Sequence, residues 1–123
     1  MADNSPFVAL LQLFVILHHK TSQLQNDQAG MLNLESLFIT EVTKVGFRSK
    51  HVDAVRAYFK RGKGALDFHF TPSEADMKTI VFTAYELLCN SLGPVATDEL
   101  FGDAMRRVEK TSAGMRYSPK KFF

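Results

Sequence analysis

The sequence predicts an all-α fold: a compact bundle of about five helices, a short extended connector over 65–70, and a C-terminal docking tail over 115–123. Three observations predict it. Apolar residues recur at helical spacing in five separate stretches. Helix-starting Ser, Thr and Asn residues alternate with helix-stopping glycines at matching distances. Only one short stretch carries the two-residue period of a strand, and it has no partner strand to pair with.

The elements follow in order. Ser5 followed by Pro6 supplies an N-cap and a first-turn proline for a helix over about 6–25. Its first half, Phe7 to Leu17, is apolar except for Gln12, so the helix belongs in the middle of the bundle. The run is shorter than the roughly 20 residues needed to cross a bilayer. Asp3 stands where a signal peptide would carry basic residues, and no small-residue cleavage site follows Leu17, so no leader is expected. After a loop over 26–31, Asn33 caps a second helix with Leu34, Leu37, Phe38, Val42 and Val45 on one stripe, stopped by Gly46. Ser49 caps a third, with Val52, Val55 and Phe59 on one face and Lys60 and Arg61 in the last turn, where the helix dipole favours cations. Gly62 and Gly64 end it.

In the connector, Leu66, Phe68 and Phe70 are expected to plug into the core. Thr71-Pro72-Ser73-Glu74 reads as a capping box with proline at the first helical position. The helix it opens buries Met77, Ile80, Val81, Ala84, Leu87 and Leu88 and stops at Gly93-Pro94. Thr97 caps the fifth helix. Asp98 and Glu99 fall in its first turn, Arg106, Arg107 and Lys110 in its last, and Leu100, Phe101, Ala104, Met105 and Val108 on its buried face. Gly114 ends it.

The 123 residues fit a single domain, residues 1–123, large enough to bury a core without disulfides or a metal. The lone cysteine, Cys89, excludes an internal disulfide and suits a reducing, cytoplasmic setting. The net charge of +2 is too small to name a nucleic acid or a membrane as partner. Eleven phenylalanines and no tryptophan, spread from Phe7 to Phe123, suit core and docking roles better than one stacking platform.

Motifs for chemistry are absent. No G-x-S-x-G and no dinucleotide glycine fingerprint occur. His18 and His19 are adjacent, so they point about 100° apart on a helix, and the i, i+4 pair of a helical metal site is missing. His51 and His69 have no ligand spacing either, so no metal or cofactor is expected. Cys89 sits within an amphipathic helix, the place of a structural thiol. Lys60-Arg61-Gly62-Lys63-Gly64 lacks the spacing of a phosphate loop and follows a helix instead of preceding one.

The C-terminal segment is the richest in charge. Arg106, Arg107, Lys110, Arg116, Lys120 and Lys121 face only Glu109. Ser118-Pro119-Lys120-Lys121 resembles the S-P-K-K element of histone tails that lies in the minor groove, and Ser118-Pro119 resembles a proline-directed phosphorylation site. The leading reading of the segment is nevertheless structural, a helix end plus an extended tail with Tyr117, Phe122 and Phe123 docked on the bundle; nucleic-acid or anionic-surface binding comes second, and docking onto another protein third.

Two stretches carry a family resemblance. Phe7-Val8-Ala9-Leu10-Leu11 and Ala54-Val55-Arg56-Ala57-Tyr58-Phe59-Lys60-Arg61-Gly62-Lys63, with Asp67-Phe68 following, make residues 7–70 resemble the helical domain of the TerB tellurite-resistance family. That domain also precedes the J-domain in some membrane-anchored DnaJ-like co-chaperones. The family's acidic K-A-D-G loop would bind metal, but the corresponding region here reads His18-His19-Lys20-Thr21-Ser22-Gln23, with no acid before Asp27. The resemblance therefore implies a helical scaffold without the metal site, acting by protein contact, with peripheral membrane association as a variant.

These readings lead to a non-enzymatic protein–protein interaction module, an adaptor or small subunit of a larger assembly, in a homo-oligomer or a hetero-complex. Its contacts are expected at Phe122 and Phe123 and the six C-terminal cations. A nucleic-acid binder using those cations is the alternative, and an enzyme with an unrecognised site built from His18, His51, His69 or Cys89 is the third.

Overall fold

The chain wraps around its first helix. In a computed structural model, residues 5–23, 33–61 and 72–123 are described, and they form six α-helices and one terminal 3-10 turn, with no strand among them. Helix α1 spans Ser5–Gln23, α2 Leu34–Lys44, α3 Ser49–Arg61, α4 Glu74–Leu92, α5 Pro94–Glu109 and α6 Ser112–Arg116; the 3-10 turn is Pro119–Phe122. The connector over 65–70, His69, and the glycines at 62 and 64 lie outside the described residues.

Phe7, Ala9, Leu10, Leu11, Leu13, Phe14 and Leu17 are all fully buried. They cover more than half of the circumference of α1, and Val8, Gln12 and Ile16 form its only partly exposed side over this stretch. It packs against α2, α5, α6 and the 3-10 turn, while α3 lies on α2, and α4 contacts α2 and α5. The core joins two aromatic groups. Phe38 of α2 meets Phe14, Phe59 and Phe7 at ring separations of 4.8, 5.8 and 6.0 Å. On the other side, Phe101 of α5 meets Tyr85 and Phe123 edge-on, both at 5.5 Å. These tilted and edge-on geometries are the ones that ring quadrupoles favour.

The helix ends show which local signals prevailed. Asn33 caps α2 by accepting from the Ser36 N–H at 3.0 Å. Gly46, at φ 115°, closes α2 in a Schellman motif: its N–H bonds to the Thr43 carbonyl, and the Phe47 N–H reaches the Val42 carbonyl. Phe47 and Val42 are both buried, which supplies the hydrophobic contact of that motif.

Five expectations are corrected. Helix α1 already includes Ser5. Helix α3 includes Ser49, because the Arg48 carbonyl accepts from the Val52 N–H, which puts Arg48 at the cap position. The cap of α4 is Ser73, not Thr71. The Ser73 Oγ accepts from the Asp76 N–H at 3.1 Å, which moves the helix start to Glu74. In this register Pro72 precedes the cap and is buried, with buried Met77 at the fourth helical position, the arrangement of a hydrophobic staple. The alternative register would place that ring in the first turn.

Helix α5 begins at Pro94, not after Thr97. Gly93 ends α4 and starts α5 in one residue: its N–H bonds to the Cys89 carbonyl, and its own carbonyl accepts from Thr97. Its φ of 85° with ψ of 160° is open only to glycine, and Pro94 has φ already set for a first helical position. Thr97 is consequently interior and fully buried, and Asp98 and Glu99 fall beyond the first turn.

Finally, Gly114 does not end α5. That helix stops at Glu109, and Thr111 caps α6 by accepting from the Gly114 N–H at 3.1 Å. The Thr111 hydroxyl also lies 2.7 Å from Gln12 Oε1, tying α6 to α1. Gly114 is there for proximity, since a Cβ on it would fall 1.8 Å from the Val108 carbonyl oxygen. The tail is accordingly folded, not extended.

Candidate docking surface

The tail and α4 together build an apolar groove. Lys78, Val81, Phe82 and Tyr85 stand at positions i, i+3, i+4 and i+7 of α4, one continuous face of that helix. Phe122 and Phe123 complete the lining of a cavity of about 350 Å³. Phe82 is 60% exposed and Phe123 57%, whereas Phe122 is buried.

The groove is held by its surroundings. Ser118 caps the 3-10 turn, and Pro119 is buried. Phe122 packs on the Tyr117 ring at 5.3 Å, and Phe123 edges onto Phe101. The Tyr117 phenol donates to Glu74 at 3.3 Å, which connects the tail to the first turn of α4. The Tyr85 phenol donates to Asp98, and that bond is the main reason its pKa is raised.

The two tail phenylalanines expected at a contact surface therefore divide the work. Both line the groove, Phe122 as its buried anchor and Phe123 as its exposed wall. Phe82 was missed. The legible signal was its register, since a phenylalanine falls outside the buried stripe of α4 formed by Met77, Ile80, Val81, Ala84 and Leu88.

The six C-terminal cations do not form one stripe. Arg106 and Arg107 lie 3.7 and 3.4 Å from Asp103, which also pairs with Lys20 of α1. Lys120 lies 3.7 Å from Glu109, and Lys121 sits over the Tyr117 ring at 5.0 Å. Lys110 and Arg116 are exposed. The hydrogen bond from Lys20, and then the neighbouring charges, hold the Asp103 carboxyl below the usual carboxylate range.

Among the described residues, no three His, Cys, Asp or Glu side chains converge in a metal-binding group. His18 packs edge-on against Phe59 at 5.7 Å, His51 against Phe47 at 5.5 Å, and Cys89 is half-buried within α4. His18 Nδ1 is buried without a hydrogen-bond partner among the described residues. Burial pushes the His18 imidazole below its ordinary value, with a smaller opposing effect from Glu35. The unfolded chain then binds that proton more tightly than the folded one. The stabilisation from a neutral His18 is complete above its unfolded-state value of about pH 6.5 and is lost as pH falls below that and through the lower folded-state value. The melting temperature is thus expected to drop between pH 7 and pH 5, and His18→Gln to flatten the slope; parallel slopes in thermal melts of the two proteins would contradict this. The Asp103 contribution has the same sign in a lower window, lost as pH falls below about 4.

No described helix is long and apolar enough to cross a membrane. No family model, no curated protein and no solved structure matches this chain.

Proposed function

We propose that the domain is a non-enzymatic protein–protein interaction module, an adaptor or small subunit of a larger assembly, which holds an apolar side chain of its partner in the groove between Phe82 and Phe123. The carrying observation is the exposure of these two phenylalanines beside an almost wholly apolar cavity. Exposed aromatic side chains at a preformed pocket can serve as anchors of protein contacts, and two of them contiguous with an apolar cavity make the kind of exposed patch that marks an interaction site. The resemblance to the TerB helical domain implies the same mode of action, and the single Cys89 thiol suits the cytoplasm. The nucleic-acid reading has no comparable support, because four of the six cations it needs already face an acid or a ring.

The test is copurification from the native host with the wild-type chain and with Phe82→Asp. A central aromatic anchor contributes about 2 kcal/mol or more, so affinity for the captured partner is expected to fall by a factor of about 30. Stability should stay within about 0.5 kcal/mol, because the side chain is exposed. A partner retained equally by both proteins, or a chain that stays monomeric and retains none, overturns the reading.

A further inference from the structure

The face formed by α2 and α3 is a second surface, sharing no residue with the Phe82–Phe123 groove and independent of the function proposed for it. Residues 48–61 hold five cations, Arg48, Lys50, Arg56, Lys60 and Arg61, against one acid, Asp53. All five cations are exposed. The ion pairs of the described residues use Lys20, Lys44, Lys78, Arg106, Arg107 and Lys120, and none of these five. The arrangement opposes the stability of α3 itself. Its first turn contains no acid, and Arg48 and Lys50 stand at the end where the helix dipole favours anions. Arg56 and Lys60 are like charges one turn apart.

Beside these cations an open cavity of about 820 Å³ runs between α2 and α3. Buried Phe47 and half-buried Ile39 and Val52 give it an apolar floor, and exposed Arg48, Asp53 and Arg56 line its edge. An apolar floor and cations without an ion pair among the described residues occur together, which defines a ligand with the complementary pair of properties.

We infer that this groove docks an acidic amphipathic segment of a partner protein, with an apolar side chain over Ile39, Phe47 and Val52 and carboxylates on Arg48 and Arg56. Arginine suits this role because its planar fork takes a carboxylate in two parallel bonds. Asp53, between the two in sequence, disfavours an unbroken run of acids in the ligand. A membrane surface fits less well. The large exposed apolar side chains of the described residues are Phe82, Val95, Met115 and Phe123, and none stands on α2 or α3 to enter a bilayer. A phosphate backbone would use the cations and leave the apolar floor unfilled.

The experiment is an NMR titration of the full chain, following backbone amides. The probe is a synthetic helical peptide of about 16 residues with leucines on one face and glutamates on the other. Saturable shifts are expected at amides within 39–56, with binding weakened about tenfold or more by scrambling the peptide or by the double variant Arg48→Glu, Arg56→Glu. Both arginines are exposed, and circular dichroism checks that the variant remains folded. Asp53→Lys should tighten binding. The inference is overturned by an absence of saturable binding, by equal binding of the scrambled peptide, or by indifference to the charge reversal. It is also overturned if a short DNA duplex, or vesicles of equal parts phosphatidylglycerol and phosphatidylcholine, bind this face more tightly than the peptide. Concentration-dependent shifts of the same amides without any probe would assign the groove to a second copy of the chain and equally overturn it. Phe82→Asp should leave this binding unchanged, so failure here and failure of the Phe82–Phe123 groove are distinguishable.

Discussion

Replacing Gly114 by alanine is expected to cost about 3 kcal/mol or more of unfolding free energy, from a change of one methyl group. The added Cβ would lie 1.8 Å from the Val108 carbonyl oxygen, 2.5 Å from its carbon and 2.9 Å from the Glu109 Cα. All three are backbone atoms at the end of α5, so no rotamer change relieves the clash. Relief requires α6 to move away from α5. That movement disturbs the Thr111 cap, the Thr111 contact with Gln12, and the seating of Phe122 further along. For a chain of this length the melting temperature should fall by roughly 10 °C. Gly102→Ala is the matched control. Its Cβ would meet only the mobile end of the Arg106 side chain at 3.6 Å, within helix α5. There alanine is expected to add about 0.5–1 kcal/mol through helix propensity. Urea unfolding of the two variants checks the pair, and a loss below about 1 kcal/mol for Gly114→Ala would refute the close approach.

Phe38→Ala should be at least as damaging, at about 3–5 kcal/mol. Phe38 is fully buried, and its ring is the common neighbour of Phe7, Phe14 and Phe59, one from α3 and two from α1. Removing it leaves a void lined by rings on three sides, and the stiffness of α1 limits collapse into it. Total stabilities of small domains are only about 5–15 kcal/mol, so this variant should be partly unfolded in mild denaturant. Phe38→Leu keeps most of the volume and should cost appreciably less. Denaturation monitored by circular dichroism distinguishes them; near-equal midpoints for Phe38→Ala and wild type would show that the two halves of the core do not depend on this ring. The contrast with Phe82, whose replacement is expected to leave stability nearly unchanged, separates the phenylalanines that hold the fold from those that face a partner.

The all-α class was legible because its signals are local. Asn33, Gly46 and Gly93 act through hydrogen bonds and dihedral angles within a few residues, and each sits where the sequence reading put it. The failures occurred where two local solutions were equally good. Thr71 and Ser73 both offer a cap hydroxyl, and burial of Pro72 selects Ser73. Pro94 reads as a stop, yet a proline that ends one helix is also suited to begin the next. Gly114 reads as a terminator because the sequence does not show the α5 backbone pressing on it. The candidate surfaces follow the same division. The off-register Phe82 was visible in the spacing of α4, and the cations of 48–61 in the composition of α3. Which of Phe122 and Phe123 remains outside depends on the 3-10 turn, and the apolar floor beside Arg48 depends on α2.

The central position of α1 bears on how the protein is made. Gln12 finds its partner Thr111 after a separation of 99 residues, and α5 and α6, which cover much of the first helix, are synthesised last among the helices. At ribosomal speeds of about 5–20 residues per second, that interval amounts to roughly 5–20 s. Throughout it, a helix whose one polar residue over Phe7–Leu17 is Gln12 must remain unaggregated without its final neighbours. The aromatic contact between α1 and α2 is the first shelter that synthesis makes available to it.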